Sequence, residues 1–146
     1  MIDKQHIGKT IPAYRAVAEA GQLRFFAKAT GETNPVYFDE AAARDAGHPS
    51  LPLPPTFLFS LEFQQPDTGW RQELGIELAR ILHGEQSFTY HRLAYAGDVL
   101  CFESRIADIY DKKGGALQFV VRETRVTNQR GEHVADLRGV LVQRNG

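Results

Sequence analysis

The stretch TFLFSLEFQ, residues 56–64, limits what this chain can fold into more than any other. Wound at 3.6 residues per turn it is apolar on nearly every side, and a helix of that kind has to be buried. From Ile81 onward the character changes, with four segments, ILHGEQSFTYHR, DVLCFESRIADIYDK, ALQFVVRETRVTNQ and HVADLRGVLVQR. They are rich in β-branched and aromatic residues, alternate in part, and are separated by AG, KKGG and RGE turns. A buried helix followed by long antiparallel strands predicts an α+β fold in which a sheet wraps the helix.

The first half reads as helical. Val17, Ala20, Leu23, Phe26 and Ala27 recur at helical spacing between Ala16 and Ala29, and Gly31 supplies a stop. DEAAARDAG is a short helix capped by Asp39 and closed by Gly47, because Asp accepts from free amides and Gly tolerates a left-handed exit. In HPSLPLPP, Pro52 and Pro54 enforce extended backbone, and Pro55 suits the first position of the next helix, where its missing N–H has no partner to lose. This helix-first order and the lack of a glycine-rich phosphate loop exclude a doubly wound nucleotide fold, so no cofactor is expected.

With 146 residues, 42% of them hydrophobic, and no repeat or linker, the chain is expected to form one domain over residues 1–146. The net charge is −1 with both signs interleaved, which offers no positive surface for nucleic acid or anionic lipid. The one cysteine, Cys101, lies in an apolar segment and reads as a small core residue rather than a reactive thiol. No leader and no apolar run near the roughly 20 residues of a membrane span are seen, so a cytoplasmic location is expected.

GETNPVYFDE, residues 31–40, concentrates polar groups between two helical runs. Asn34-Pro35 reads as a turn, since Asn accepts a local backbone bond and Pro fixes φ. Glu32 reads as a solvated carboxylate past a helix end, and Tyr37 as a ring packed with its hydroxyl partnered. Among the histidines, His48 sits in the proline loop, His83 opens the third element and His91 precedes Arg92 on the outward face of a strand. Each reads as structural, and their spacing gives no metal triad.

FFAKATGETNPVYFDEAAARDAG, then LPPTF, then LHGEQSFTYHRLAYAGDVL, resemble in order the MaoC-like dehydratases, in particular the N-terminal-type, FAS1-like domain of that family. The resemblance spans about Leu23 to Leu100. It implies a hot-dog fold, two such units pairing into one continuous sheet, and reversible addition of water to a 2-enoyl thioester. The implied partners are an acyl-CoA or acyl-ACP thioester and a second hot-dog chain, in a homodimer or in a heterodimer with a catalytic subunit. It also implies catalytic positions: an Asp where this chain has Glu32, a His where it has Tyr37, and a Gly amide where it has Pro55. Asn34 lies beside that site by the same resemblance, and Thr56 and Phe57 are the expected acyl-chain contacts at the start of the central helix.

The chain departs from the pattern at all three catalytic positions. Glu32 is one methylene longer than Asp, and a misplacement of about 1 Å can cost on the order of 100-fold in rate. Tyr37 exchanges a group titrating near neutrality for a phenol near pH 10, a poor base. Pro55 has no N–H, so no oxyanion donor exists at that residue. The expectation is therefore a non-catalytic or accessory subunit of a hydratase. A hot-dog thioesterase, with Glu32 positioning water, and a non-enzymatic acyl-thioester binding module are the alternatives.

Overall fold

The structure, a computed structural model, describes all 146 residues. Its regular elements are β1 (Thr10–Val17), α1 (Ala20–Ala29), α2 (Glu40–Asp45), α3 (Phe57–Phe63), α4 (Trp70–Glu73), β2 (Ile81–Tyr90), β3 (Val99–Lys112), β4 (Leu117–Thr127) and β5 (His133–Arg144). The strands make one antiparallel sheet in the order β1-β3-β4-β5-β2. The four strands expected after Ile81 are all present.

The sheet curves around α3, and apolar residues from both sides make the main core. Phe57, Leu58 and Leu61 of α3 pack with Leu100, Phe102, Val126 and Leu137 of the sheet, together with Leu23 of α1. This is the hot-dog arrangement. A second core joins Trp70 and Leu74 of the α4 region to Ile106, Ile109 and Val120 under the other end of the sheet. Strands β2 and β5 approach closely at a bulge between His83 and Glu85. There only glycine fits, because a Cβ on Gly84 would lie 2.8 Å from the Val142 side chain.

Three expectations are corrected. A strand, β1, precedes the first helix, which starts at Ala20 and not at Ala16; the order is not helix-first. Only Ile11 of β1 is buried, so the strand carries no apolar alternation to read. Pro55 does not open α3; it lies in the turn before Thr56, the N-cap residue, and the amide of Phe57 closes that turn on the Pro54 carbonyl at 3.0 Å. Finally, α3 is not buried all round. Phe63 is 63% exposed, while the charged Glu62 is buried. Asp39 and Gly47 behave as expected, the Asp39 carboxylate accepting from the amides of Ala41 and Ala42 and Gly47 sitting at φ 94°.

Candidate functional site

The loop after α1 is organised by its own polar side chains. One oxygen of Glu32 accepts hydrogen bonds from the amides of Thr33 and Asn34, both at 3.0 Å. Asn34 in turn accepts from the amide of Val36 at 3.2 Å and so starts the single 3-10 turn Pro35–Tyr37. The Arg24 guanidinium on α1 donates to the Phe38 carbonyl at 2.9 Å and ties the loop to the helix before it. Asn34-Pro35 is thus a side-chain-capped turn. Glu32 is a half-buried carboxylate whose oxygen already holds two donors.

Tyr37 is half-buried, and its phenol stands close enough to the Tyr90 phenol to disfavour ionisation there. Tyr90, the last residue of β2, donates its hydroxyl to the Pro55 carbonyl. Burial first, and the neighbouring Tyr37 second, push the Tyr90 phenol up to about 12. The structure thus brings together Tyr37, Tyr90 and Pro55: two phenols and a backbone carbonyl, with no N–H on Pro55. Tyr90 was invisible to sequence reasoning because it lies on a strand far along the chain from the loop. Its position inside the block LHGEQSFTYHRLAYAGDVL was the available signal.

Thr56 is exposed at the mouth of the site, and Phe57 is buried, with its ring edge-on to Phe26 at 5.3 Å between centroids. Thr56 lines a groove of about 540 Å³ between α3 and β2, with Phe26, Phe59, His83 and Phe88. An adjoining cavity of about 280 Å³ shares Phe59 and His83 and continues to Phe63, Trp70, Ile81 and Leu141. The largest hollow, about 760 Å³, lies elsewhere, over the sheet, and is lined by charged residues such as Glu103, Arg105, Glu123 and Arg138. The two grooves beside α3 have a larger share of aromatic and aliphatic lining than that hollow.

At the inner end of the 280 Å³ cavity lies a buried polar cluster that sequence reasoning did not find. The Glu62 carboxylate accepts from the Thr124 hydroxyl at 2.5 Å and the Ser104 hydroxyl at 3.3 Å, and pairs with Arg122 at 3.0 Å. Arg122 also donates to Ser104 at 3.0 Å, while its Nε has no partner. Burial pulls the Arg122 guanidinium down from its usual range, and Glu62 opposes that shift. Sequence carried no signal for the pair, because the two residues are sixty positions apart on different elements.

His48 contacts the Tyr95 hydroxyl through Nδ1 at 3.4 Å, and His83 stands edge-on to Phe59 with 5.8 Å between ring centroids. Neither touches Glu32 or Tyr37 through a hydrogen bond. His91 is exposed, in keeping with its reading as an outward residue, and it meets His133 and Asp136. Cys101 is a free, half-buried thiol. No helix is long and apolar enough to cross a membrane.

Residues 5–137 match the family described as FAS1-like, dehydratase domain region. A UPF0336 protein of Streptomyces coelicolor is 36% identical over 146 residues, covering 98% of this chain and 95% of the relative. Among solved structures, the C-terminally truncated HadBC (3R-hydroxyacyl-ACP dehydratase) complex of Mycobacterium tuberculosis superposes with a TM-score of 0.79 at 28% identity. That match covers 94% of this chain and 96% of the other. The ChsH1-ChsH2 complex of the same organism superposes with a TM-score of 0.77 at 20% identity, covering 94% and 86%, and shares the fold.

Proposed function

The chain belongs to the FAS1-like dehydratase-domain family, and from that premise we propose that it is the non-catalytic, acyl-chain-binding subunit of an (R)-specific 2-enoyl-thioester hydratase. Hydration puts the water oxygen on C3 and a proton on C2 of the enoyl thioester, and dehydration of the (R)-3-hydroxyacyl thioester is the reverse. The step needs a base for water, an acid for C2 and a donor at the thioester oxygen as enolate charge develops.

One observation carries the assignment: where the resemblance puts base and oxyanion donor, this chain has Tyr37 beside Tyr90, and a proline whose carbonyl is held by that second phenol. A phenol is a poor general base at neutral pH. Glu32, the remaining carboxylate, is engaged by two loop amides, which also weakens the hydrolase alternative. The partner would then supply the Asp/His dyad, and the grooves flanking α3 would take the acyl chain carried on coenzyme A or acyl carrier protein. The heteromeric complexes among the structural neighbours support pairing with a second hot-dog chain.

The test measures loss of enoyl absorbance from crotonyl-CoA. The chain alone should give none above buffer. Mixed with a hot-dog chain of the same genome carrying Asp-x-Asn-Pro-x-His, it should form an active complex, and Glu32→Ala should change that rate less than about 3-fold. The same variant should lose about 1 kcal/mol of stability with its two amide bonds. A 1000-fold loss of rate, about 4 kcal/mol of transition-state stabilisation, would place catalysis in this chain. Release of free thiol would mean hydrolysis, and acyl-CoA binding with no turnover in any mixture would mean a binding module.

A further inference from the structure

His91, the residue after β2, and His133 and Asp136, at the start of β5, turn their side chains to one point. The Asp136 carboxylate stands between the two imidazoles, with Oδ2 at 2.8 Å from His91 Nε2 and Oδ1 at 2.8 Å from His133 Nε2. The ring centroids are 4.2 Å apart, and one ligand atom from each of the three residues lies within 4.8 Å of the others. We propose that this set is a divalent-metal site suited to zinc, formed by His91 Nε2, His133 Nε2 and Asp136.

The backbone beneath it is already fixed. Thr89 pairs with Asp136 and Tyr90 with Ala135 across the β2–β5 ladder. The amides of His91 and Arg92 both donate to the Val134 carbonyl, at 2.8 and 3.1 Å. Binding therefore requires only side-chain adjustment. Zinc holds nitrogen at about 2.0–2.1 Å and oxygen at about 2.0–2.2 Å, which in a tetrahedron sets donors roughly 3.3 Å apart. The present 2.8 Å spacings must open by about half an ångström, which partly exposed side chains accommodate by small rotations.

The donor types choose the ion. Two imidazoles and one carboxylate suit zinc or its borderline neighbours, whereas calcium and magnesium demand oxygen shells. Arg125 lies opposite Asp136 across the β4–β5 pair, while Arg92 and Arg130 are both engaged by Glu132. Three protein ligands leave a fourth position for water or for a side chain of another subunit. A bound ion would fasten the end of edge strand β2 to β5 immediately beyond Tyr90.

The experiment uses tag-free, chelator-washed full chain titrated calorimetrically with zinc chloride, and with magnesium chloride as the control. One zinc per chain should bind with a Kd below about 100 μM, and magnesium should give no heat. At a hundredfold excess over Kd the melting temperature should rise by about 5 °C or more. His91→Gln and His133→Gln should each weaken binding at least about 10-fold. In the unaltered chain, zinc should move the ring resonances of His91 and His133 and leave those of His6, His48 and His83 in place, a readout independent of how the variants fold. Absence of zinc binding up to millimolar concentration overturns the proposal, and so does binding that moves only the other three histidines or persists unweakened in both variants.

Discussion

At the scale of single residues, the phenol of Tyr90 is held in its neutral form by its surroundings, burial first and the Tyr37 phenol second. Its folded value of about 12 lies above the ordinary phenol value of 10.0, so the folded state holds its proton more tightly than the unfolded chain does. Its contribution to stability is complete below about pH 10, and is lost as pH rises through about 12 because the unfolded phenol ionises first. Two pH units correspond to at most about 2.7 kcal/mol, and screening of a ring 42% exposed reduces this to about 1 kcal/mol. Urea unfolding at about pH 9 and pH 12 should show that extra alkaline loss in the natural chain and not in Tyr90→Phe. Phenolate absorbance should show one of the five tyrosines titrating late. Equal alkaline loss in both proteins would mean that Tyr90 is not held neutral by its site.

At the scale of elements, α3 is fastened to the sheet by charge as well as by its apolar residues. Glu62 and Arg122 have side chains only 10% and 16% exposed, and the polar partners of Glu62 are on β3 and β4. Removing one ion leaves the other uncompensated in a dry setting, which costs more than the pair contributes. Arg122→Met should lower stability by about 3–5 kcal/mol, whereas Glu62→Leu with Arg122→Met should recover most of that, as read by denaturant midpoints. If the double variant is no better than the single one, packing and not charge dominates this contact. Nothing in TFLFSLEFQ announced the pair: Glu62 is the one charged residue of a helix read for its apolar character, and its partner came from a strand read for its composition, alternation and turns. Strands β3 to β5 were legible because turns bound them and buried residues recur along them, and β2 was legible from its composition, since none of its residues is buried. Strand β1 was not, since Pro12 and a single buried residue, Ile11, leave little pattern, and its end runs on into the helical spacing of α1. The candidate site was half legible. The loop from Glu32 to Tyr37 and the turn at Pro55 were readable as motif positions, but Tyr90 reaches them only through the pairing of β2 with β5.

At the scale of the whole molecule, the sheet has two ends of unlike quality. Strand β1 is a poor template for another chain, because Pro12 has no N–H and the register breaks between Ile11 and Tyr14. Strand β2 has no proline, and its residues are exposed over most of its length. Beside it the surface carries Phe63, Leu78 and Leu82, exposed by 63%, 63% and 52%, a run of large apolar groups that water covers badly. An open ladder next to an apolar margin is the geometry that a second hot-dog unit satisfies, extending the sheet through β2 and closing the groove between α3 and β2. The isolated chain is therefore expected to dimerise through β2, and light scattering after size exclusion should give twice the chain mass at micromolar concentration. Phe63→Glu with Leu82→Glu places two charges on that margin without touching the core, so the variant should melt as a folded monomer. A natural chain that is already monomeric at that concentration would mean that β2 waits for a different partner, and a dimer undisturbed by both charges would move the interface to another face.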